Sequence, residues 1–208
     1  MIRFVGDIYM RLGYLAEELN LGGGYGVRYT ESDPTIDIPR KIASVADTIH
    51  SIRDELSLPV PKILMELGRS IVADAGMTLY TVGSVKEITG YKRYVSIDGG
   101  MSDNPRYALY GSKYTCINAS RIDDSADMTC DLVGRCCESG DIIQPSIRLP
   151  GGTKRGDIVA VCTTGAYTFS MASGYNRTLR PPVVMLKNGQ SYIAVKRETL
   201  DDLIRPDC

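Results

Sequence analysis

Residues 19–26 read LNLGGGYG, a short apolar strand at residues 19–21 that runs directly into glycines. Glycines that follow a strand let backbone N–H groups approach a phosphate closely, because no Cβ obstructs them. The spacing departs from the dinucleotide-binding fingerprint, since Val27 stands where its third glycine would be. The motif alone leaves two interpretations open, a phosphate-binding loop and a tight turn without a ligand.

Helix and strand patterns alternate around this segment. Residues 2–19 predict a helix with one apolar face. Apolar residues at three- and four-residue spacing between Pro39 and Pro59 predict a second helix, with His50 on its surface. Residues 62–66 then predict a second strand. The order helix, strand, helix, strand is typical of a parallel α/β unit.

Beyond Gly76 the sequence predicts mainly β-strands, separated by Gly, Asn, Asp and Pro turns. The predicted strands are residues 77–82, 93–97, 114–119, 142–147, 158–163, 183–186 and 192–196. Between the last two, Asn188 and Gly189 supply the positive φ of a hairpin turn. We therefore expect an α/β plus all-β chain, with one domain at residues 1–75 and a β-sandwich or β-barrel-like domain at residues 76–208.

Composition and charge narrow the classes of function. The 208 residues are 43% apolar, enough for a real core, and 24 basic against 25 acidic side chains leave no field that attracts nucleic acid or anionic lipid. Apolar runs fall far short of the ~20 residues of a membrane span. Six cysteines without a C-x-x-C pair indicate neither a disulfide framework nor a zinc site, and a single histidine disfavours His-dependent triads. We expect a cytoplasmic protein with no metal and no nucleic-acid or membrane partner.

Further segments carry side chains suited to binding or catalysis. Residues 66–70 (ELGRS) end a strand with an acid, a glycine and an arginine. Together with the glycine loop they resemble the phosphate site over the last strands of a (β/α)8 barrel. Residues 137–141 (CESGD) set a thiol beside a carboxylate in a polar turn. Arg106, Tyr110 and Tyr167 complete the candidates. Each also has a purely structural interpretation, as a turn with a half-buried thiol, a loop side chain or a strand-end aromatic.

In combination these segments resemble the diaminopimelate decarboxylases, from about Leu19 to Ile204. The likeness is carried by LNLGGGYG at 19–26, DGGMSDNPR at 98–106, CCESGD at 136–141 and GAY at 165–167 followed by SMAS at 170–173. The resemblance implies a pyridoxal-phosphate decarboxylase with an alanine-racemase-like barrel and a C-terminal β-domain. Residues 1–75 would then be the C-terminal strands and helices of the (β/α)8 barrel.

The resemblance also implies a role for each motif residue. Pyridoxal 5'-phosphate would be held by Gly23, Gly24, Gly68 and Arg69 at its phosphate, by Glu66 at its ring nitrogen, and by Tyr167. The amino-acid substrate would be bound by Arg69, Arg106 and Tyr110 at its distal carboxylate, by Glu138 at its distal ammonium, and by Tyr167. Cys137 would deliver a proton to the substrate carbon after CO2 loss. In the family, Cys137 and Glu138 act across a homodimer interface.

Two departures from the family pattern shape the expected function. Leu67 stands where the family usually has proline, which frees φ at that position. The family's cofactor-binding lysine lies on an earlier barrel strand, and no lysine here stands in a matching motif. We therefore expect the C-terminal portion of a diaminopimelate decarboxylase, inactive alone, that converts meso-2,6-diaminopimelate to L-lysine and CO2 together with a missing N-terminal barrel segment. The alternatives are a non-catalytic homologue that binds or regulates a partner through the dimer surface, and a free-standing β-domain.

Overall fold

A computed structural model describes residues 1–207, which form two compact units. The first unit comprises Met1–Arg28 and Pro34–Ile71. The second comprises Tyr29–Asp33 and the chain from Val72 onward. The short segment Tyr29–Asp33 therefore interrupts the first unit in sequence and belongs to the second.

The first unit is built from alternating helices and strands. Its elements are α1 (Ile2–Leu12), β1 (Glu18–Asn20), α2 (Ile38–Leu56) and β2 (Lys62–Leu64). The short helix α3 (Arg69–Val72) begins in this unit, and its last residue belongs to the second. Strands β1 and β2 pair in parallel, with Leu19 opposite Ile63, which confirms the predicted order and the parallel arrangement. The core of this unit consists of Ile2, Val5, Leu19 and Ile49. His50 lies exposed on α2, as predicted.

Helix α1 ends seven residues before the predicted end at residue 19, so that part of the prediction was wrong. Gly13 adopts φ 64°, and its N–H bonds to the carbonyl of Tyr9. A left-handed glycine at this position ends a helix, whatever the apolar spacing beyond it. Strand β2 also ends at Leu64, two residues earlier than predicted.

The second unit is a mostly antiparallel β-structure. Its strands are β3 (Met77–Ile88), β4 (Lys92–Ile97), β5 (Cys116–Asn118), β6 (Met128–Val133), β7 (Ile142–Leu149), β8 (Ile158–Cys162), β9 (Val183–Lys187) and β10 (Gln190–Val195). Its helices are α4 (Arg106–Tyr110), α5 (Leu200–Ile204) and three short 3-10 turns at Ala119–Arg121, Phe169–Met171 and Tyr175–Arg177.

Six of these strands form one sheet in the order β5-β8-β3-β4-β6-β7. Strands β4 and β6 pair in parallel and the other neighbours antiparallel. The two edge strands β5 and β7 also contact each other, so the sheet nearly closes. Apolar side chains fill its interior, among them Val82, Val95, Leu132, Leu149, Val159 and Val161.

The separate hairpin of β9 and β10 confirms the predicted turn. Asn188 and Gly189 have φ of 52° and 74°. Strand β6 and helix α4 were not predicted, and β5 is shorter than the predicted strand 114–119. Asn118 ends β5 because its side chain accepts a hydrogen bond from the Ser120 N–H at 3.1 Å and caps the following turn. No helix within residues 1–207 is long and apolar enough to cross a membrane.

Candidate functional site

The glycine loop and the end of β2 lie side by side in the first unit. The Leu21 N–H donates to the Leu64 carbonyl at 3.0 Å, and the Glu66 N–H donates to the Gly22 carbonyl at 2.7 Å. A Cβ at Gly23 would overlap the Glu66 carbonyl. The loop therefore requires glycine there, since any side chain would push the two strand ends apart.

Asn20 links the same two segments through its side chain. Its amide donates to the Glu66 carboxylate at 2.6 Å and accepts from the Gly22 N–H at 2.7 Å. The Glu66 carboxylate is thereby held in one orientation beside the glycine loop. Sequence reasoning missed Asn20. The available signal was a polar side chain within a short apolar strand that enters a glycine loop.

The surface formed by these segments suits a phosphate group. Within residues 1–207 the N–H groups of Gly23 and Gly24 donate no hydrogen bond. Gly24, with φ 91°, and Gly68 both have open space where a Cβ would stand. The buried hydroxyl of Ser70 has no hydrogen-bond partner in the described part of the chain, and Arg69 precedes it at the start of α3. Backbone N–H groups without protein acceptors are a favourable environment for a dianion, and an arginine can add positive charge.

In the second unit, Arg106 lies in a cage of tyrosines. Its guanidinium carbon is 5.7 Å from the ring centroids of Tyr29 and Tyr110 and 5.5 Å from that of Tyr167. The residue is 6% exposed, and its one side-chain hydrogen bond goes to the Ser112 hydroxyl at 3.2 Å. No ion pair among residues 1–207 involves Arg106. A buried cation without a carboxylate partner favours the approach of an anionic ligand.

The loop of residues 98–106, which ends at Arg106, is held in place by hydrogen bonds. The Asp103 carboxylate accepts from the Gly100 N–H at 2.8 Å and from the Tyr80 hydroxyl at 2.5 Å. Burial raises the pKa of Asp103, and it raises the pKa of Tyr80 well above its ordinary value. Because Ser102 also accepts from the Ser173 N–H at 2.7 Å, the loop is fixed to the segment that follows Tyr167.

Tyr167 stands in a strained position at the rim of this cage. Its φ of 61° lies in the left-handed region, which is costly for an aromatic residue. The preceding turn is held by hydrogen bonds from the Gly165 N–H to the Ala73 carbonyl at 3.0 Å and from the Thr164 N–H to the Gly76 carbonyl at 2.9 Å. Strain that the surrounding contacts enforce is typical of functional positions.

The turn of residues 137–141 presents the Glu138 carboxylate to solvent. The carboxylate accepts from the Gly140 N–H at 3.2 Å and from the hydroxyls of Ser139 and Tyr175, both at 3.3 Å. These contacts, with the Gly140 N–H first, lower the pKa of Glu138 below its ordinary value. The Glu138 carboxylate is thus an anion at neutral pH. Its hydrogen-bond partners lie in its own turn and at Tyr175, and none of them belongs to the tyrosine cage of Arg106.

Asp141, which is buried at 3% exposure, holds this turn in place through hydrogen bonds. One carboxylate oxygen accepts from the Met101 N–H at 2.6 Å, and the other accepts from the Cys136 N–H at 2.7 Å. Its carbonyl accepts from the Gly134 N–H at 2.9 Å. The loop that carries Arg106 and the turn that carries Glu138 are therefore joined through one buried carboxylate. Asp141 lies within the CESGD motif, but nothing in the sequence alone indicated this role for it.

The five described cysteines are free thiols in different environments. Cys137 is exposed and Cys136 half-buried. Burial raises the pKa of Cys116 to about 12 and that of Cys130 to about 11. Cys208 lies outside the described residues.

We expect iodoacetamide at pH 8 to label Cys137 first and to leave Cys116 and Cys130 unmodified in the native protein, because the thiolate is the reactive form and both buried thiols stay protonated. Peptide mass spectrometry reads each cysteine separately. Equal labelling of Cys116 and Cys137 would contradict this arrangement, and full labelling in urea serves as the control.

Comparison with known proteins identifies the family. The family model described as "Pyridoxal-dependent decarboxylase, C-terminal sheet domain" matches residues 5–165. The diaminopimelate decarboxylase of Bacillus subtilis (strain 168) is 46% identical over 194 residues, which cover 93% of this chain and 44% of the relative. That of Staphylococcus aureus (strain COL) is 47% identical over 195 residues, covering 94% of this chain and 46% of the relative.

A solved structure agrees with these relatives. The diaminopimelate decarboxylase of M. jannaschii in complex with L-lysine superposes with a TM-score of 0.89 at 32% identity, covering all of this chain and 46% of the other. The chain belongs to the pyridoxal-dependent decarboxylases and contains their C-terminal sheet domain. It spans about half the length of the relatives it matches. The resemblance to diaminopimelate decarboxylases is thus confirmed, while the roles of individual residues stay predictions.

Proposed function

We propose that this chain forms part of a diaminopimelate decarboxylase, which removes CO2 from meso-2,6-diaminopimelate to give L-lysine. The observation that carries the proposal is the buried Arg106 guanidinium, caged by tyrosines and without a carboxylate partner among residues 1–207. Such a cation favours a ligand that brings its own carboxylate at the end away from the reacting carbon. Tyr110, at the other end of α4, would share that carboxylate.

Cofactor binding is proposed at the glycine loop. Pyridoxal phosphate, when bound, supplies an electron sink for the charge left on the substrate carbon by CO2 loss. The phosphate would be held by Gly23, Gly24, Gly68 and Arg69. Glu66, oriented by Asn20 at 2.6 Å, would face the ring nitrogen and keep it protonated. Tyr167 would contact both cofactor and substrate.

The turn of residues 137–141 would complete the site in a homodimer. Glu138 carries a lowered pKa and is exposed, so it can accept a distal ammonium. The exposed thiol of Cys137 would deliver a proton to the substrate carbon. We propose that both act on the site of the partner copy, that residues 1–75 are the last strands and helices of the barrel, and that residues 76–208 are the β-domain. Free cysteines support a cytoplasmic, reducing location.

Activity would also require the cofactor-binding lysine, for which this sequence has no matching motif. The test therefore uses an assembled enzyme, in which this chain is joined to the part of the Bacillus subtilis relative that it does not cover. CO2 release from meso-diaminopimelate by the assembled enzyme, and its absence with the 208-residue chain alone, would support the proposal.

Substrate preference gives a sharper measurement. We expect kcat/KM for meso-diaminopimelate to exceed that for ornithine by on the order of tenfold or more, because ornithine lacks the distal carboxylate that Arg106 would bind by charge-assisted hydrogen bonds. Arg106→Ala should remove most of this preference. Glu87→Gln, a change in a surface ion pair with Arg93, is the control and should leave the preference unchanged. Ornithine turnover equal to that of diaminopimelate would contradict the assignment.

A further inference from the structure

We infer that Tyr29 is a positioning residue for Arg106, one that fixes the guanidinium for the carboxylate of the ligand. The inference rests on the proposed function of Arg106 and adds a residue outside the motifs that carry the family resemblance. Its basis is the geometry of the ring that packs against the core. Tyr110 and Tyr167 are exposed, at 66% and 44%. Tyr29 is half-buried and packs against the core, where its ring contacts the buried Tyr114.

The backbone of Tyr29 is firmly anchored. Its carbonyl accepts from both the N–H of Thr115, at 3.1 Å, and the Thr115 hydroxyl, at 2.9 Å. Its N–H donates to the Asp33 carboxylate at 3.0 Å. Three hydrogen bonds at one residue hold the backbone of Tyr29, and therefore its ring, in a fixed position within the second unit. The segment Tyr29–Asp33 therefore delivers this ring to the sheet domain.

The ring of Tyr29 is in turn supported by Tyr114. The two rings meet edge to face, with centroids 5.4 Å apart and an interplanar angle of 88°. Tyr114 is 3% exposed, and the hydroxyls of both tyrosines are buried without a hydrogen-bond partner within residues 1–207. Buried unpaired hydroxyls contribute nothing favourable to the fold. The ring of Tyr29 is thus the part of its side chain that contacts Arg106.

The orientation of the Arg106 guanidinium depends on the neighbouring rings, because its hydrogen bonds do little to fix it. Its Nε is buried and unpartnered in the described part of the chain, and its guanidinium makes a single hydrogen bond, to Ser112. A ring 5.7 Å from the guanidinium carbon attracts the cation and excludes water from one of its faces. Without the Tyr29 ring, water would enter and the guanidinium could turn away. A carboxylate would then bind a hydrated, mobile cation instead of a fixed one.

Two ligands that differ by one carboxylate isolate this effect. L-Lysine, the proposed product, keeps the carboxylate that lies away from the reacting carbon. Cadaverine is the same five-carbon diamine without it. In the assembled enzyme, Tyr29→Leu should raise the dissociation constant of L-lysine and the KM for diaminopimelate by about tenfold. It should leave the cadaverine constant and kcat unchanged. Calorimetric titration of the two ligands reports binding without requiring turnover.

Matched variants separate this role from general damage. Tyr29→Phe keeps the ring and should bind both ligands as the wild type does. Tyr91→Leu, at an exposed turn between β3 and β4, is the control for a lost tyrosine. Thr115→Val removes one anchor of Tyr29 and should weaken L-lysine binding alone, by roughly threefold. This variant keeps the inference testable if Tyr29→Leu does not fold.

The outcomes distinguish the inference from the function on which it rests. If Arg106→Ala leaves L-lysine binding unchanged, the proposed role of Arg106 is wrong. If Arg106→Ala weakens L-lysine binding but Tyr29→Leu does not, the proposed function stands and the inference about Tyr29 is wrong. Equal weakening of L-lysine and cadaverine by Tyr29→Leu would also overturn it, because that result indicates a purely structural role.

Discussion

Replacement of Asp141 by alanine is expected to lower the free energy of unfolding by about 3–6 kcal/mol, because two charge-assisted hydrogen bonds of about 1.5–3 kcal/mol each disappear. The lost acceptors leave the half-buried N–H groups of Met101 and Cys136 without partners. Urea unfolding of the assembled enzyme measures the change, and hydrogen exchange of these two amides should accelerate in parallel.

Glycines around Asp141 provide an independent check of the same contact. A Cβ at Gly100 or at Gly134 would overlap the Asp141 carboxylate, so alanine at either position should displace it and destabilise the protein. Asp124→Ala is the control, because its ion pair with Arg121 at 3.3 Å is exposed and contributes at most about 1 kcal/mol. A loss below 1 kcal/mol for Asp141→Ala would show that the carboxylate does not hold the two loops together.

The elements that the sequence predicted correctly are those set by local chemistry. The parallel strands β1 and β2 follow from apolar runs that end in glycine-containing loops. The hairpin turn at Asn188 and Gly189 follows from the positive φ that these residues adopt readily. In both cases the deciding residues are neighbours in sequence, so the pattern alone carries the information.

The elements that escaped prediction depend on contacts between distant residues. Strand β6 contains Asp131, which in a sequence indicates a turn. In the structure its buried carboxylate accepts from the Lys92 ammonium at 2.7 Å and from the Ser146 N–H at 2.8 Å. These partners lie 39 and 15 residues away, so no local pattern could show that the aspartate is satisfied inside a sheet.

The residues of the candidate site also fall into two groups, those that the sequence indicated and those that depend on contacts between distant residues. Arg106, Glu138 and Cys137 were found because their motifs resemble those of a known family. The residues that hold candidate side chains or their loops in place were not found, since Asn20 acts on Glu66 across 46 positions and Asp141 on Met101 across 40. The segment Tyr29–Asp33 belongs to the second unit although the residues on both sides of it belong to the first. Such relations exist only after the chain has folded.

The adjacent thiols at Cys136 and Cys137 offer the most demanding test of the proposed chemistry. In the assembled enzyme Cys137→Ala should lower turnover of diaminopimelate by about a hundredfold or more, because a positioned proton donor contributes on that scale. The exposed position of Cys137 lets its thiol reach a substrate, whereas Cys136 is half-buried. The rate of CO2 release and the position and stereochemistry of deuterium in lysine formed in D2O measure the loss.

Cys136→Ala is the matched control, and the structure explains why its effect on turnover should be small. The contact of Cys136 with Asp141, at 2.7 Å, is made by its backbone N–H, which alanine retains. Its thiol has a pKa raised first by burial and then by the nearby Asp141 charge, which makes it a weaker proton donor than an ordinary cysteine. Turnover should therefore stay near the wild-type value. Equal losses in the two variants would mean that the turn needs both side chains for its shape, and the assignment of proton delivery to Cys137 would be wrong.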